Sequence, residues 1–239
     1  MANDKVYIHE LVDIRGQHRA EYMHHMTVNW VPIAIAERNQ RCFGVWGTVG
    51  STGRWPEVVN VWELDGWDGL VANLGHELSH SSLQDPSLAK WWARAAEFRR
   101  GGIDRILVPA PWTRSIDELV ADGAGGAVYA HELITLRPGA APDYLDALGR
   151  EGRAAVEAFG WELIGAFQVA MVNASECIAI WSMPDWEAWG AFERAAQEGA
   201  LGSWRRTIGG FGADWRRTAM VEAPTSTLRL GRQPEASDG

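Results

Sequence analysis

Two kinds of short stretch in this 239-residue chain could do chemistry. The first is GHELSH, residues 75–80, in which His76, Glu77 and His80 spell H-E-x-x-H. On a helix that spacing sets two imidazoles on one face beside a carboxylate, the ligand pair and general base of many zinc hydrolases. A metal needs a third ligand, and Glu97 is the nearest candidate downstream. The second is a His-Glu pair that occurs twice, His9-Glu10 and His131-Glu132. Neighbours on a strand point to opposite faces, so one member of each pair faces a sheet's covered side. A buried carboxylate there needs a partner, or else has a raised pKa suited to proton transfer.

Helical phase weighs against zinc at GHELSH. Trp67, Leu70, Val71, Leu74 and Leu78 form one apolar stripe. On an unbroken helix His76 and His80 point away from it, toward solvent. If Gly75 ends the helix, both imidazoles fall in a turn that could reach a cavity rim. His24-His25 lies on a helix whose buried stripe is Met23, Met26, Trp30 and Ile33, which puts His25 outward. Neither cysteine, Cys42 or Cys177, has a base placed beside it, and no G-x-G-x-x-G or phosphate-binding loop occurs.

The elements that must position these residues come in two copies. Val6-Tyr7-Ile8-His9-Glu10-Leu11 reappears as Val128-Tyr129-Ala130-His131-Glu132-Leu133. Residues 13–26 parallel 135–148, residues 43–49 parallel 164–170, and 61–70 parallel 180–189. The stretch 99–111, ending in Pro111, parallels 215–224, ending in Pro224. The reading is a first repeat over 1–116, a glycine-rich linker over 117–127, a second repeat over 128–230 and a disordered tail over 231–239. In the first repeat, strands at 5–12, 42–49, 57–64 and 103–109 alternate with helical patterns at 17–38, 67–74 and 86–98. That order is β-α-β-β-α-β, the ferredoxin-like unit, with helices on one sheet face. The fold class is α+β: two tandem ferredoxin-like units whose antiparallel sheets pack into an intramolecular dimeric α/β barrel.

The strand-1 pattern, the turns at Arg15-Gly16 and Arg137-Pro138-Gly139, and the spaced tryptophans Trp62/Trp67 and Trp181/Trp186 resemble the NIPSNAP family. The resemblance implies the dimeric α/β-barrel fold, which houses cofactor-free oxygenases, polyketide cyclases, isomerases, haem enzymes and non-catalytic proteins. A positional resemblance to plant-type polyketide cyclases implies an acid/base site from a strand-1 histidine and another after the strand-3 helix. His9 and the pair His76/His80 stand in similar places.

Alternation on the central strands puts Trp46, Thr48, Asn60 and Trp62 on one polar, aromatic face. Their counterparts in the other repeat include Phe167 and Trp181, a greasier face joined by His131. The expectation is an enzyme with His9, His76, His80 and Glu10 as catalytic groups and Trp46, Thr48, Asn60, Trp62, His131, Phe167 and Trp181 against a hydrophobic substrate. Cyclisation, isomerisation or a lyase reaction is the first reading, and cofactor-free oxygenation of a phenolic or polycyclic substrate the second. A non-catalytic binding protein is a third. No cofactor is expected, with a divalent metal at His76, His80 and Glu97, or haem, as the alternative.

Composition narrows the partners. The chain is 46% hydrophobic and 22% charged, with net charge −9, which disfavours nucleic acid. No apolar run reaches membrane-spanning length. The polar N-terminus and unpaired cysteine count fit a cytoplasmic protein, and a homodimer is compatible with the tryptophan-rich helices.

Overall fold

The computed structural model describes residues 2–239. Eight strands are β1 (Val6–Ile14), β2 (Arg41–Thr48), β3 (Glu57–Leu64), β4 (Arg99–Pro109), β5 (Val128–Thr135), β6 (Glu162–Val169), β7 (Glu176–Met183) and β8 (Asp214–Glu222). Their order is β1-β3-β2-β8-β5-β7-β6-β4, closed on itself as an antiparallel barrel. The class is α+β. Among the described residues the α-helices are α1 (Arg19–His24), α2 (Val31–Arg38), α3 (Gly66–Leu78), α4 (Ala89–Phe98), α5 (Ile116–Ala121), α6 (Ala141–Ala147), α7 (Arg153–Glu157), α8 (Trp186–Gln197), α9 (Gly202–Gly209) and α10 (Thr227–Leu230). No helix among the described residues is long and apolar enough to cross a membrane.

The chain divides into two compact units. One is Asp4–Arg105 with Glu222–Gly239, and the other is residues 2–3 with Ile106–Val221. The boundaries fall inside β4 and β8, not in the 117–127 segment expected as a linker. That segment carries α5, started by a capping box in which Ser115 and Glu118 satisfy each other's backbone N–H. The tail expected to be disordered folds back on β2. Gln233 accepts from the Cys42 N–H at 2.9 Å and donates to the Cys42 carbonyl at 3.0 Å. A short 3₁₀ turn follows at Ala236–Asp238. The Gln233 side-chain amide thereby satisfies both backbone groups of Cys42 near the start of β2.

Each unit packs one sheet face against its helices. In the first, Val12, Ile14, Cys42, Val45, Val58 and Trp62 meet Tyr22, Met23, Met26, Trp30, Trp91 and Phe98. In the second, Ile134, Ala166, Ala179 and Trp181 meet Tyr144, Leu148, Trp161, Phe192 and Trp204. The long helical pattern at 17–38 is broken by a π-helical stretch, His25–Trp30, and the second unit has one at Leu148–Gly152. A π turn carries more residues than an α turn and shifts the helical phase of the residues beyond it. His25, the first residue of the π stretch and expected outward, is buried and stacked on Trp91 with ring centroids 4.8 Å apart.

Strand register carries a second phase shift. β3 pairs with β2 through Cys42↔Trp62, but then Gly44↔Val61, Val45↔Asn60 and Trp46↔Val59. The irregularity lies between Cys42 and Gly44, and β6 has the same one between Leu163 and Gly165. One extra residue moves every later side chain to the other face.

α3 runs unbroken through Gly75. Of its apolar stripe only Leu70 is buried, while Trp67, Val71, Leu74 and Leu78 are exposed. Gly102, by contrast, lies where β4 crosses β1 so closely that a Cβ would sit 2.3 Å from the Leu11 carbonyl oxygen. Gly102→Ala is therefore expected to destabilise the chain by about 1–3 kcal/mol, through backbone overpacking. Gly75→Ala, with open space around it, is expected to stabilise by about 0.5–1 kcal/mol through helix propensity. Urea denaturation of the two variants checks both signs.

Candidate functional site

β1 turns Glu10 toward the helices, because Glu10 pairs with Asn60 and Ile8 with Trp62 on β3. Its Oε2 accepts from Asn60 Nδ2 at 2.8 Å and from Trp62 Nε1 at 2.9 Å. Asn60 Nδ2 also reaches the Tyr22 hydroxyl at 3.0 Å, and Arg99 hydrogen-bonds that hydroxyl in turn. Asn60 Oδ1 is buried without a hydrogen-bond partner. Both donors to Glu10 are neutral. Burial pushes the Glu10 carboxyl above the usual carboxylate range, and the Asp104 charge adds to the rise. The Trp62 and Asn60 hydrogen bonds and the Arg99 charge oppose it without cancelling it. Burial likewise raises Tyr22, with the Glu10 charge contributing.

Asn60 and Tyr22 are fully buried. Further along β1 a pocket of about 380 Å³ opens to the surface, lined by Val12, Arg15, Arg99, Arg100, Gly101 and Asp104 among others; Glu10, Asn60, Trp62 and Tyr22 lie outside its lining. Val12 is the next residue after Glu10 on the same face of β1. Arg99 lies at 5.0 Å over the Trp92 ring.

The second unit has the same parts in a different state. Trp181 Nε1 donates to Glu132 Oε2 at 3.0 Å, as Trp62 does to Glu10. Tyr144 stands where Tyr22 does. But Arg217 donates to Glu132 Oε1 from Nε at 2.9 Å and from Nη2 at 2.6 Å, and to Glu193 at 3.1 Å. Its guanidinium is covered by Trp161, Phe192 and Trp215 at 5.2, 4.8 and 4.8 Å. Burial opposes the Arg217 charge, yet Glu132 and Glu193 hold its pKa above the usual value.

Matching hydrogen bonds fix which residue of β4 answers to Arg217. The Ala110 N–H donates to the Ala166 carbonyl and Ala223 to Val45, both at 2.9 Å. Thr113 Oγ1 accepts from Ala166 N–H as Ser226 Oγ does from Val45 N–H. Counting back from these pairs, Asp104 stands in the place of Arg217 and Gly102 in the place of Trp215. One carboxylate is thus neutralised and sealed. The other has neutral donors, a second carboxylate in place of the arginine, and a glycine in place of the covering tryptophan.

The remaining residues expected at a site fall elsewhere. His9 pairs with Val61 and lies on the opposite face of β1 from Glu10. Trp46 pairs with Val59 and shares that face, as does Thr48. The expectation that Trp46, Thr48, Asn60 and Trp62 share one surface is therefore corrected by the β2 irregularity. Thr48 Oγ1 donates to the Glu57 carbonyl at 3.1 Å and holds the β2–β3 connection. In the second unit His131 and Phe167 share one face and Trp181 takes the other, with Glu132.

His76 and His80 do not converge with His9. His76 Nε2 is 3.1 Å from Asp85 Oδ2 and His80 Nε2 is 4.0 Å from Asp85 Oδ1. Arg38, almost fully covered, joins Glu77 at 2.8 Å and Asp85 at 3.2 Å. Ser87 bonds hold the Asp85 carboxyl below the usual range, and His76 and Arg38 reinforce them. GHELSH is thus a clasp between α3, α2 and the loop before α4. Glu97 pairs with Arg94 on α4 instead. Among the described residues no group of three or more His, Cys, Asp or Glu could hold a metal ion.

Tyr22, Arg99 and Asp104 were not expected at the site. The repeat carried their signal: Tyr22 aligns with Tyr144, and Asp104 breaks the match with Arg217.

No family profile matches the chain, and no curated protein sequence matches it significantly. Solved structures do. A candidate monooxygenase from Lactobacillus acidophilus is 10% identical with a TM-score of 0.59, covering 92% of this chain and 95% of its own. An anthrone oxidase-like protein is 12% identical with a TM-score of 0.59, covering 93% of each chain. A haem-binding protein from Thermus thermophilus is 10% identical with a TM-score of 0.52, covering 95% of this chain and 94% of its own. The chain has the dimeric α/β-barrel fold. The last neighbour, a haem-binding protein, overturns the expectation that the chain takes no cofactor. The pocket beside Glu10 does not match an iron site, because no histidine, cysteine, methionine or tyrosine lines it.

Two stability measurements check this geometry. Asp85→Asn is expected to lower the urea midpoint at neutral pH, more than His76→Ala does, because it strips the Arg38 clasp. For Glu10 the folded pKa is raised above the unfolded value of 4.5. Its contribution is present below 4.5 and is lost as pH rises through the folded value. Glu10→Gln is expected to remove that decline, measured as urea stability across pH 4 to 8.

Proposed function

We propose that the chain is an enzyme of small-molecule metabolism that moves a proton on a hydrophobic, enolisable or phenolic substrate, with Glu10 as the proton carrier. The observation that supports this is the loss of the arginine. The second unit pairs its equivalent carboxylate with Arg217, whereas Glu10 has only neutral donors and a raised pKa. A carboxyl whose pKa is raised is a better acceptor for a proton from a weak acid and can return it.

The chain's own groups divide the work. Trp62 and Asn60 hold the Glu10 carboxylate in one orientation after it has lost its proton. Tyr22, tied to Asn60 and Arg99, stays protonated and fixes that amide. Arg99 sits close enough to favour an anion as it forms. Val12 and Ala96 give the pocket an apolar wall. The reaction classes this chemistry serves are cyclisation, isomerisation and lyase reactions. Oxygenation of a phenol or anthrone-like carbon acid begins with the same proton removal, and the monooxygenase-like fold neighbours favour including it. In this reading the chain is two NIPSNAP-like ferredoxin repeats, of which the first keeps the chemistry. The exposed Trp67, Val71, Leu74 and Leu78 suit pairing with a second copy.

The test is proton exchange. Anthrone or 2-indanone is incubated with the protein in D₂O, and loss of the acidic C–H signal is followed by NMR. The expected result is catalysed exchange that falls by about 10²-fold or more in Glu10→Gln and survives His9→Ala and His76→Ala. Exchange no faster than buffer, or unchanged in Glu10→Gln, contradicts the reading. Dependence of product formation on dioxygen separates oxygenation from cyclisation or isomerisation.

A further inference from the structure

The pocket next to Glu10 along β1 carries charge at its mouth that no ion pair in its unit neutralises. Arg15, Arg99 and Arg100 line it, against one acid, Asp104. Arg99 is engaged with Trp92 and Tyr22. Arg15 and Arg100 are exposed, and among the described residues neither has an ion-pair partner. The nearby acids are engaged elsewhere: Asp13 with Arg54, Glu21 with His18 and Glu97 with Arg94. The second unit again supplies the contrast. Arg137, the counterpart of Arg15, donates to the Gly210 carbonyl at 2.6 Å. In a chain of net charge −9, two uncompensated guanidinium groups at the rim of one pocket are a local reversal of sign.

The pocket also has room where these arginines meet it. Gly101 has a φ of +145° and nothing within 4 Å of its Cβ position. Side-chain-free backbone at Gly101 and Gly102 leaves the approach to Asp104 open, where the second unit places Trp215.

Resting on the proton-transfer reading, we infer that the substrate is an organic carboxylate with a flat apolar body. Arg15 and Arg100 bind its carboxylate at the rim, and its body lies along Val12 and Ala96, pointing along β1 toward Glu10, two residues before Val12 on the same strand face. Guanidinium suits this task because its planar fork matches a carboxylate in two bonds. An anion held at the rim also fixes the substrate's direction, so that the reacting end and not the charged end enters the buried part of the site.

The experiment is a binding titration by NMR with 2-naphthoate and its neutral isostere 2-naphthamide, using the full chain. The expected result is that 2-naphthoate binds about tenfold or more tightly than 2-naphthamide, a difference of about 1.4 kcal/mol. Arg15→Ala and Arg100→Ala each weaken 2-naphthoate several-fold and leave 2-naphthamide unchanged, with chemical-shift changes at Val12 and Ala96. Equal binding of the two probes, binding of neither, or 2-naphthoate binding indifferent to both substitutions overturns the inference. Displacement of 2-naphthoate by an equal concentration of inorganic phosphate overturns it too, because it assigns the rim to a phosphate group. Charge-selective binding without catalysed proton exchange leaves the rim assignment standing and fails the proton-transfer reading alone.

Discussion

A carboxyl group on β1, turned into the space between sheet and helices, is the constraint around which both units are arranged. Taking a carboxylate out of water costs several kcal/mol unless donors or a countercharge replace the solvent. The protein meets that cost in two ways. Around Glu132 it supplies Arg217 and stacks three aromatic rings over the guanidinium, so the charge is matched and the site is closed. Around Glu10 it supplies an indole N–H and an amide N–H, which orient the group but do not neutralise it. Taking up a proton is then the easiest way to remove the charge, and burial holds the Glu10 carboxyl above the usual carboxylate range.

The same contrast explains the surroundings. Where Arg217 fills its strand position, the adjacent Trp215 can cover it. Where Asp104 stands instead, a covering ring would seal two carboxyl groups together, and the chain has Gly102 there. The glycine lets β4 lie against the Leu11 carbonyl, which keeps the sheet continuous while the pocket stays open.

Much of this fold was legible in the sequence, because strand alternation and helical phase are local. The strands around His9-Glu10 and His131-Glu132, the helical pattern at 17–38 and the order of elements all follow from periodicity. What failed was phase across irregularities. A single extra residue between Cys42 and Gly44 turned Trp46 and Thr48 away from Asn60 and Trp62. His25, where the π stretch begins, is drawn inside by stacking on Trp91. GHELSH misled for another reason: its spacing suits a metal, but Arg38 and Asp85, distant in sequence, claim its side chains. For Glu10 the sequence left two readings open, a structural partner or a raised pKa. The structure uses one in each unit, and the deciding residue, Asp104 against Arg217, lies on strands whose sequences match only loosely.

The most direct test of the account is the titration of Glu10 itself, followed by carboxyl ¹³C NMR in protein labelled at glutamate and assigned with Glu10→Gln. The account predicts that Glu10 titrates clearly above 4.5, and that Asp104→Arg, which restores the second unit's arrangement, brings it down below that value. A Glu10 that titrates at or below 4.5 in the unaltered chain, or that does not respond to Asp104→Arg, would contradict it.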